Sequence, residues 1–195
     1  MTQPYPLEPA LDAAIRVFDA FSLRHALVGG IAVGVWGASR TTEDVDLYAE
    51  LPANMRASIQ KALEKRDFDV PAMSEELERF GVFRSLHRPT KVFVDVFDAG
   101  NPLGEAILTR RKKMTFQGKV RWFASAEEIV LLKAFADRTR DFEDLTKLLA
   151  VGKGKLDLDY IETWVRELDR SIGGDEVGER LRKAAQEADR RAPRK

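Results

Sequence analysis

Apolar residues recur at helical spacing near the N-terminus. Leu11, Ala14, Ile15 and Phe18 fall on one stripe, which predicts a helix over residues 9–21. The period then shortens. Residues 26–28 read as an apolar strand ending at Gly29 and Gly30, and 31–36 as a short helix of small residues closed by Gly37. A second strand follows over 45–48. An amphipathic helix spans 52–65, with Pro52 near its first turn. Residues 82–86 and 92–97 read as strands separated by Arg88, Pro89 and Thr90. A helix over 103–111 precedes two more strands, 114–117 and 120–123, joined by a turn at Gly118 and Lys119.

Helical patterning takes over after residue 124. Ser125 and Glu128 have the spacing of a capping box at the start of a helix that runs from 126 to about 137 and carries Lys133 among Ile129, Leu132 and Phe135. Further helices are expected over 141–150, 158–168 and 177–188. Gly152, Lys153 and Gly154 make the clearest linker in the chain. Strands and helices come first and helices alone afterwards. That order predicts an α+β fold, with a core over residues 1–124 and a helical part with a basic tail over 125–195.

Composition narrows the chemistry. The 195 residues are 44% hydrophobic, enough for one core domain with a helical extension. Lys plus Arg and Asp plus Glu balance at 32 each, so net charge alone implies no nucleic-acid partner. There is no cysteine, which excludes thiol catalysis, disulfides and cysteine-ligated zinc. The two histidines, His25 and His87, are far apart and read as structural. No apolar run reaches the roughly 18 residues that span a bilayer, and no signal peptide is read. The expectation is a cytoplasmic protein without a membrane partner.

Three acids stand out against this background. Asp44 and Asp46 alternate with Val45 and Leu47, so both carboxylates leave the same face of a strand with Cα atoms about 6–7 Å apart. Like charges that close repel unless a cation lies between them, and a divalent metal fits that need. Asp95 shares a strand face with Phe93 and Phe97, opposite Val92, Val94 and Val96. A carboxylate between two phenylalanines requires a partner, and a metal held with Asp44 and Asp46 supplies one. Asp98, at the strand end, fits a backbone-capping role better. Upstream, Gly29 and Gly30 mark a strand-to-helix junction whose N–H groups can meet phosphate, although a tight turn alone also explains them.

Gly29-Gly30, thirteen intervening residues, then Asp44-Val45-Asp46-Leu47 and a later Val94-Asp95-Val96 strand together resemble the nucleotidyltransferase superfamily related to DNA polymerase β. The run from Gly37 to Asp44 is similar to that of a bacterial subgroup that includes the nucleotidyltransferases of abortive-infection and toxin–antitoxin systems. So is the later series Glu128, Lys133, Arg138, Asp141 and Asp144. The resemblance extends over about residues 26–149. It implies a mixed β-sheet core flanked by helices. It also implies Mg²⁺ or Mn²⁺ on Asp44, Asp46 and Asp95, which would act as the catalytic carboxylates, and transfer of NMP from an NTP to a hydroxyl.

The same resemblance places Gly29, Gly30, Ser39, Arg40, Thr42 and Lys133 at the nucleotide. For Ser39, Arg40 and Thr42 a polar turn, and for Lys133 a lysine snorkelling from a helix edge, remain open alternatives. Arg138, Asp141 and Asp144 read as a structural salt-bridge network. The acceptor implied is RNA, a tRNA end above all, or a protein side chain, with an aminoglycoside-like small molecule third. A cognate toxin or antitoxin partner follows from the same subgroup. A silent nucleotide- or RNA-binding module of the same fold is the rival reading. The cluster Arg110-Arg111-Lys112-Lys113 reads either as a patch that steers a polyanion or as a cationic helix end.

Overall fold

A computed structural model describes residues 6–38 and 40–191. They form two compact units, residues 6–32 with 41–124, and residues 33–38 and 40 with 125–191. The fold class is α+β.

The first unit is built on a seven-stranded mixed sheet in the order β3-β4-β5-β2-β1-β7-β6. The strands are β1 (His25–Leu27), β2 (Asp44–Ala49), β3 (Phe68–Asp69), β4 (Val82–His87), β5 (Val92–Asp98), β6 (Lys112–Phe116) and β7 (Lys119–Phe123). β2 runs parallel to β5 and antiparallel to β1. Burial alternates along β2, with Val45, Leu47 and Ala49 buried and Asp44, Asp46 and Tyr48 half-exposed, as period-two patterning demands. The helices are α1 (Glu8–Ala20), the start of α2 (Gly29–Val35), α3 (Arg56–Glu64), α4 (Met73–Phe80) and α5 (Pro102–Arg110). α1 packs against β2, β5 and α3, and buries Leu11, Val17 and Phe18.

Two elements escape the sequence pattern. β3 is only two residues long and follows Asp67, whose φ is +63°. α4 buries only Met73 and Leu77 while its third large apolar residue, Phe80, is exposed, and Gly81 closes it in the left-handed region at φ +67°. A single i,i+4 apolar pair is too thin a signal to separate from a loop. The β6–β7 turn also shifts by one residue. Phe116 pairs with Lys119, so the turn residues are Gln117 and Gly118, at φ +49° and +72°. Positive φ at both central positions is what a tight two-residue hairpin needs, and Gly118 supplies the second at no steric cost.

The second unit contains the end of α2 and the helices α6 (Ala126–Phe135), α7 (Thr139–Val151), α8 (Leu158–Ile172) and α9 (Glu176–Arg191). Its core includes Ile129, Val130, Leu131, Leu145, Leu148, Ile161, Val165, Val177 and Ala184. The glycine-lysine run at 152–154 is a turn inside this unit, directly after the end of α7. Much of the basic tail is α9, whose Val177, Ala184 and Ala188 are buried. Asp169 caps α9 by accepting hydrogen bonds from the Val177 and Gly178 amides at 2.8 and 3.1 Å. The capping box at Ser125 takes a different form. Its hydroxyl turns to the carboxylates of Glu127 and Glu128, and the buried Glu128 also accepts from the Tyr160 hydroxyl at 2.7 Å. No helix among the described residues is long and apolar enough to cross a membrane.

Leu47 is fully buried beside the acid-bearing positions of β2. Leu47→Ala is expected to lower unfolding free energy by about 2–5 kcal/mol in urea titration. Burial also pushes the imidazoles of His25 and His87 below their ordinary value. The unfolded chain therefore binds protons before the folded one does. The histidine contribution is fully present above about pH 6.5 and is lost as pH falls toward the folded-state values, which urea midpoints measured down to about pH 5 should show.

Candidate active site

The parallel pairing of β2 and β5 sets Asp46 directly against Asp95, with Asp44 against Phe93. Asp44, Asp46 and Asp95 therefore share one sheet face, and each offers a carboxylate oxygen within 4.8 Å of the others. At that spacing each ionised pair repels by about 3 kcal/mol at an effective dielectric of about 20. Three hard oxygen donors at such distances suit a hard divalent cation, so the residues fit a metal of the kind that the resemblance implied.

Each carboxylate is fixed by a neighbour. Thr42 donates its hydroxyl to Asp44 Oδ1 at 2.8 Å, which gives this residue a definite role beside the first acid. Asp46 lies against the glycine turn, where the Val28 amide donates to the Asp46 carbonyl at 3.0 Å. Gly29 sits at φ +59°, and a Cβ built there would fall 1.8 Å from Asp46 Oδ2. The first glycine is thus required twice, by its backbone angle and by the acid packed on it. Gly30 follows in the first turn of α2, where helix N–H groups have no intrahelical acceptor.

Asp95 has a partner that the sequence pattern did not identify. Arg84, opposite it on β4, donates from Nε to Asp95 Oδ1 at 2.7 Å and from Nη2 to Oδ2 at 2.6 Å. These hydrogen bonds raise the Arg84 pKa above its ordinary value. Burial opposes the rise, while the charges of Asp95, Asp44 and Asp46 add to it. The guanidinium also lies 5.1 Å from the centre of the Phe93 ring. A sequence signal for this pair did exist. Counting outward from the His87–Val92 pair that closes the β4–β5 loop brings Arg84 to Asp95. Farther along β2 and β5, Tyr48 stacks on Phe97 at 5.2 Å, and burial pushes the Tyr48 hydroxyl up to about 12. Asp98 takes the strand-end role: it pairs with Arg56 at 3.0 Å and accepts from the Gly100 amide at 3.2 Å.

Arg40 and Lys133 belong to the second unit and converge there on one acid. Arg40 reaches Asp144 at 2.5 Å, and Lys133 reaches Asp141 at 2.5 Å and Asp144 at 3.2 Å. Arg138 holds the other oxygen of Asp141 at 2.6 Å. Burial raises the Asp141 pKa, but the hydrogen bonds from Arg138 and Lys133 outweigh it and leave the carboxyl below its ordinary value. Lys133 and both acids are buried, so this is the salt-bridge network anticipated around residues 138–144, extended by Lys133 and Arg40. Ser39 lies outside the described residues. In the basic cluster, Arg111 and Lys113 sit over the Trp122 ring at 4.5 and 4.9 Å, which gives two of its four cations an aromatic partner.

Gly29→Ala is expected to drive Asp46 out of the cluster, abolishing Mn²⁺ binding in calorimetric titration and lowering the melting temperature. Gly34→Ala, whose Cβ would meet nothing within 4 Å, serves as control and should be neutral or stabilising by up to about 1 kcal/mol.

No protein-family model matches the chain, and no curated protein matches it by sequence. Its fold nevertheless aligns with solved structures. ANT(2″)-Ia in complex with adenylyl-2″-tobramycin aligns at a TM-score of 0.58 and 13% identity, over 84% of this chain and 97% of that one. An antigenic nucleotidyltransferase-like protein from Paracoccidioides brasiliensis aligns at 0.52 and 20% identity, over 90% and 92%. The lincosamide antibiotic adenylyltransferase LnuA, lincomycin-bound, aligns at 0.52 and 14% identity, over 72% and 95%. Mixed sheet, paired acids on β2, third acid on β5 and these alignments agree: the chain has the fold of the nucleotidyltransferase superfamily.

Proposed function

We propose that this protein is a metal-dependent nucleotidyltransferase that moves an NMP group from an NTP to a hydroxyl. The observation that carries the reading is the gathering of Asp44, Asp46 and Asp95 on one sheet face, with the Gly29 turn packed on Asp46. A silent domain has no evident need to hold three like charges together.

In this reading Asp44, Asp46 and Asp95 hold divalent cations. Bound there, the metal neutralises triphosphate charge and makes the acceptor hydroxyl easier to deprotonate. Gly29 and Gly30 present amides to phosphate oxygens, and Thr42 fixes the orientation of Asp44. Asp95 faces the acceptor hydroxyl and takes part in its deprotonation. The acceptor oxygen attacks the α-phosphorus in line, the α–β bridging bond breaks, and pyrophosphate leaves. Arg40 and Lys133 are proposed as nucleotide contacts on the strength of the subgroup resemblance. Their pairing with Asp141 and Asp144 supports an equally direct structural role.

For the acceptor, the resemblance over residues 37–44 and 128–144 favours RNA, above all a tRNA end, or a protein hydroxyl, within a toxin–antitoxin or phage-defence pair. The antibiotics named with two aligned structures make a small-molecule acceptor the third arm of the test. One observation favours a second reading, a nucleotide- or RNA-binding module without transfer: both oxygens of Asp95 are already engaged by Arg84.

The purified chain is to be incubated with each α-³²P-labelled NTP and Mg²⁺ or Mn²⁺, together with total tRNA, a cell-protein fraction, tobramycin or lincomycin. Label retained on one acceptor and pyrophosphate release, both lost in Asp46→Ala, are expected. Nucleotide binding without label transfer on any acceptor would favour the silent module. Loss of only the γ-phosphate would indicate a phosphohydrolase.

A further inference from the structure

The acid cluster contains its own cation. Arg84 grips Asp95 with a two-pronged fork, at 2.7 and 2.6 Å, using both carboxylate oxygens. A carboxylate held through both oxygens by a guanidinium has committed its best-placed lone pairs. A metal ion that takes Asp95 as a ligand must displace at least one of these bonds. Asp44 accepts from the neutral Thr42 hydroxyl.

Arg84 is also the exposed partner of the pair. Its side chain is 56% exposed, whereas that of Asp95 is 12% exposed. The Phe93 ring, 43% exposed, already lies under the guanidinium at 5.1 Å. An arginine that lets go of the carboxylate therefore keeps an aromatic surface to rest on and water to solvate its far side. The backbone need not change, because β4 and β5 stay paired through Val82–Phe97 and His87–Val92 on either side.

We infer that Arg84 is a tethered counter-cation: it holds Asp95 in position before metal arrives, and it must open its fork for Asp95 to join the metal site. Resting on the metal-site reading above, this makes Arg84 a positioning residue that acts through Asp95. Recruitment of Asp95 to a cation would carry a cost set by the broken fork. The arginine thus tunes the site toward weaker, more readily exchanged metal.

The test is Mn²⁺ titration of the full chain without nucleotide, read by the electron paramagnetic resonance signal of free Mn²⁺ and by calorimetry. Arg84→Met should bind Mn²⁺ about tenfold more tightly than wild type, the value expected for a charge-assisted bond screened at a half-exposed position. Its metal-free melting temperature should fall, because three carboxylates lose their counter-charge, and its rise on adding Mn²⁺ should exceed that of wild type. Arg84→Lys keeps the charge without the fork and should lie between the two, which preserves the test if the methionine variant folds poorly. A purely structural arginine would lower the melting temperature and leave Mn²⁺ affinity equal or weaker, and that result overturns the inference. Wild type should bind and Asp44→Asn should not. Absence of Mn²⁺ binding in both wild type and Arg84→Met would overturn the metal-site reading and this inference together.

Discussion

Three carboxylates held within 4.8 Å of one another are the constraint around which the first unit is arranged. Left alone they would push apart, and loops would let them. Here they cannot separate, because Asp44 and Asp46 stand on one strand and Asp95 on its hydrogen-bonded neighbour, with a register that places Asp46 and Asp95 side by side. The opposite sides of those residues are anchored by Val45, Leu47, Val94 and Val96, all essentially inaccessible. Hydrophobic burial on alternate positions thus holds electrostatic strain on the others. Gly29 lets Asp46 pack against the turn, and Arg84 neutralises part of the charge.

The second unit solves a related problem with a different device. Lys133, Asp141 and Asp144 are all buried in a helical core, where an unpaired charge would be heavily penalised. Arg40 and Arg138 complete the set, so that each acid meets two cations. The cluster stitches α6 to α7 and to the segment ending at Arg40. Only three residues, Thr41, Thr42 and Glu43, separate Arg40 from Asp44.

Likeness of fold at identities of 13–20% says how the chain is built, not what it modifies. The aligned structures include two antibiotic adenylyltransferases, and a shared sheet is compatible with very different acceptors. The surroundings of the third carboxylate are particular to this chain's own residues. There this chain places an arginine and an exposed phenylalanine, Arg84 and Phe93.

Sequence by itself determined the strands that carry the acids, because alternation of Asp44, Val45, Asp46 and Leu47, and of Val92 to Val96, admits only one pleated reading. It also determined the glycine turn and the run of C-terminal helices, whose apolar periods are long enough to register. Short elements were not legible: β3 and α4 carry too few buried residues for any period to appear. Which strand lies beside which was decided only by tertiary structure, since parallel pairing of β2 with β5 joins residues some fifty positions apart and leaves no local mark. The same holds for the pairing of Lys133 and Arg40 with buried acids, whereas the Arg84–Asp95 pair could be counted along the β4–β5 hairpin once its closing pair was known. An arginine on a strand looks like any solvated charge until register sets a carboxylate opposite, because electrostatic partnership depends on distance in space and not on order along the chain.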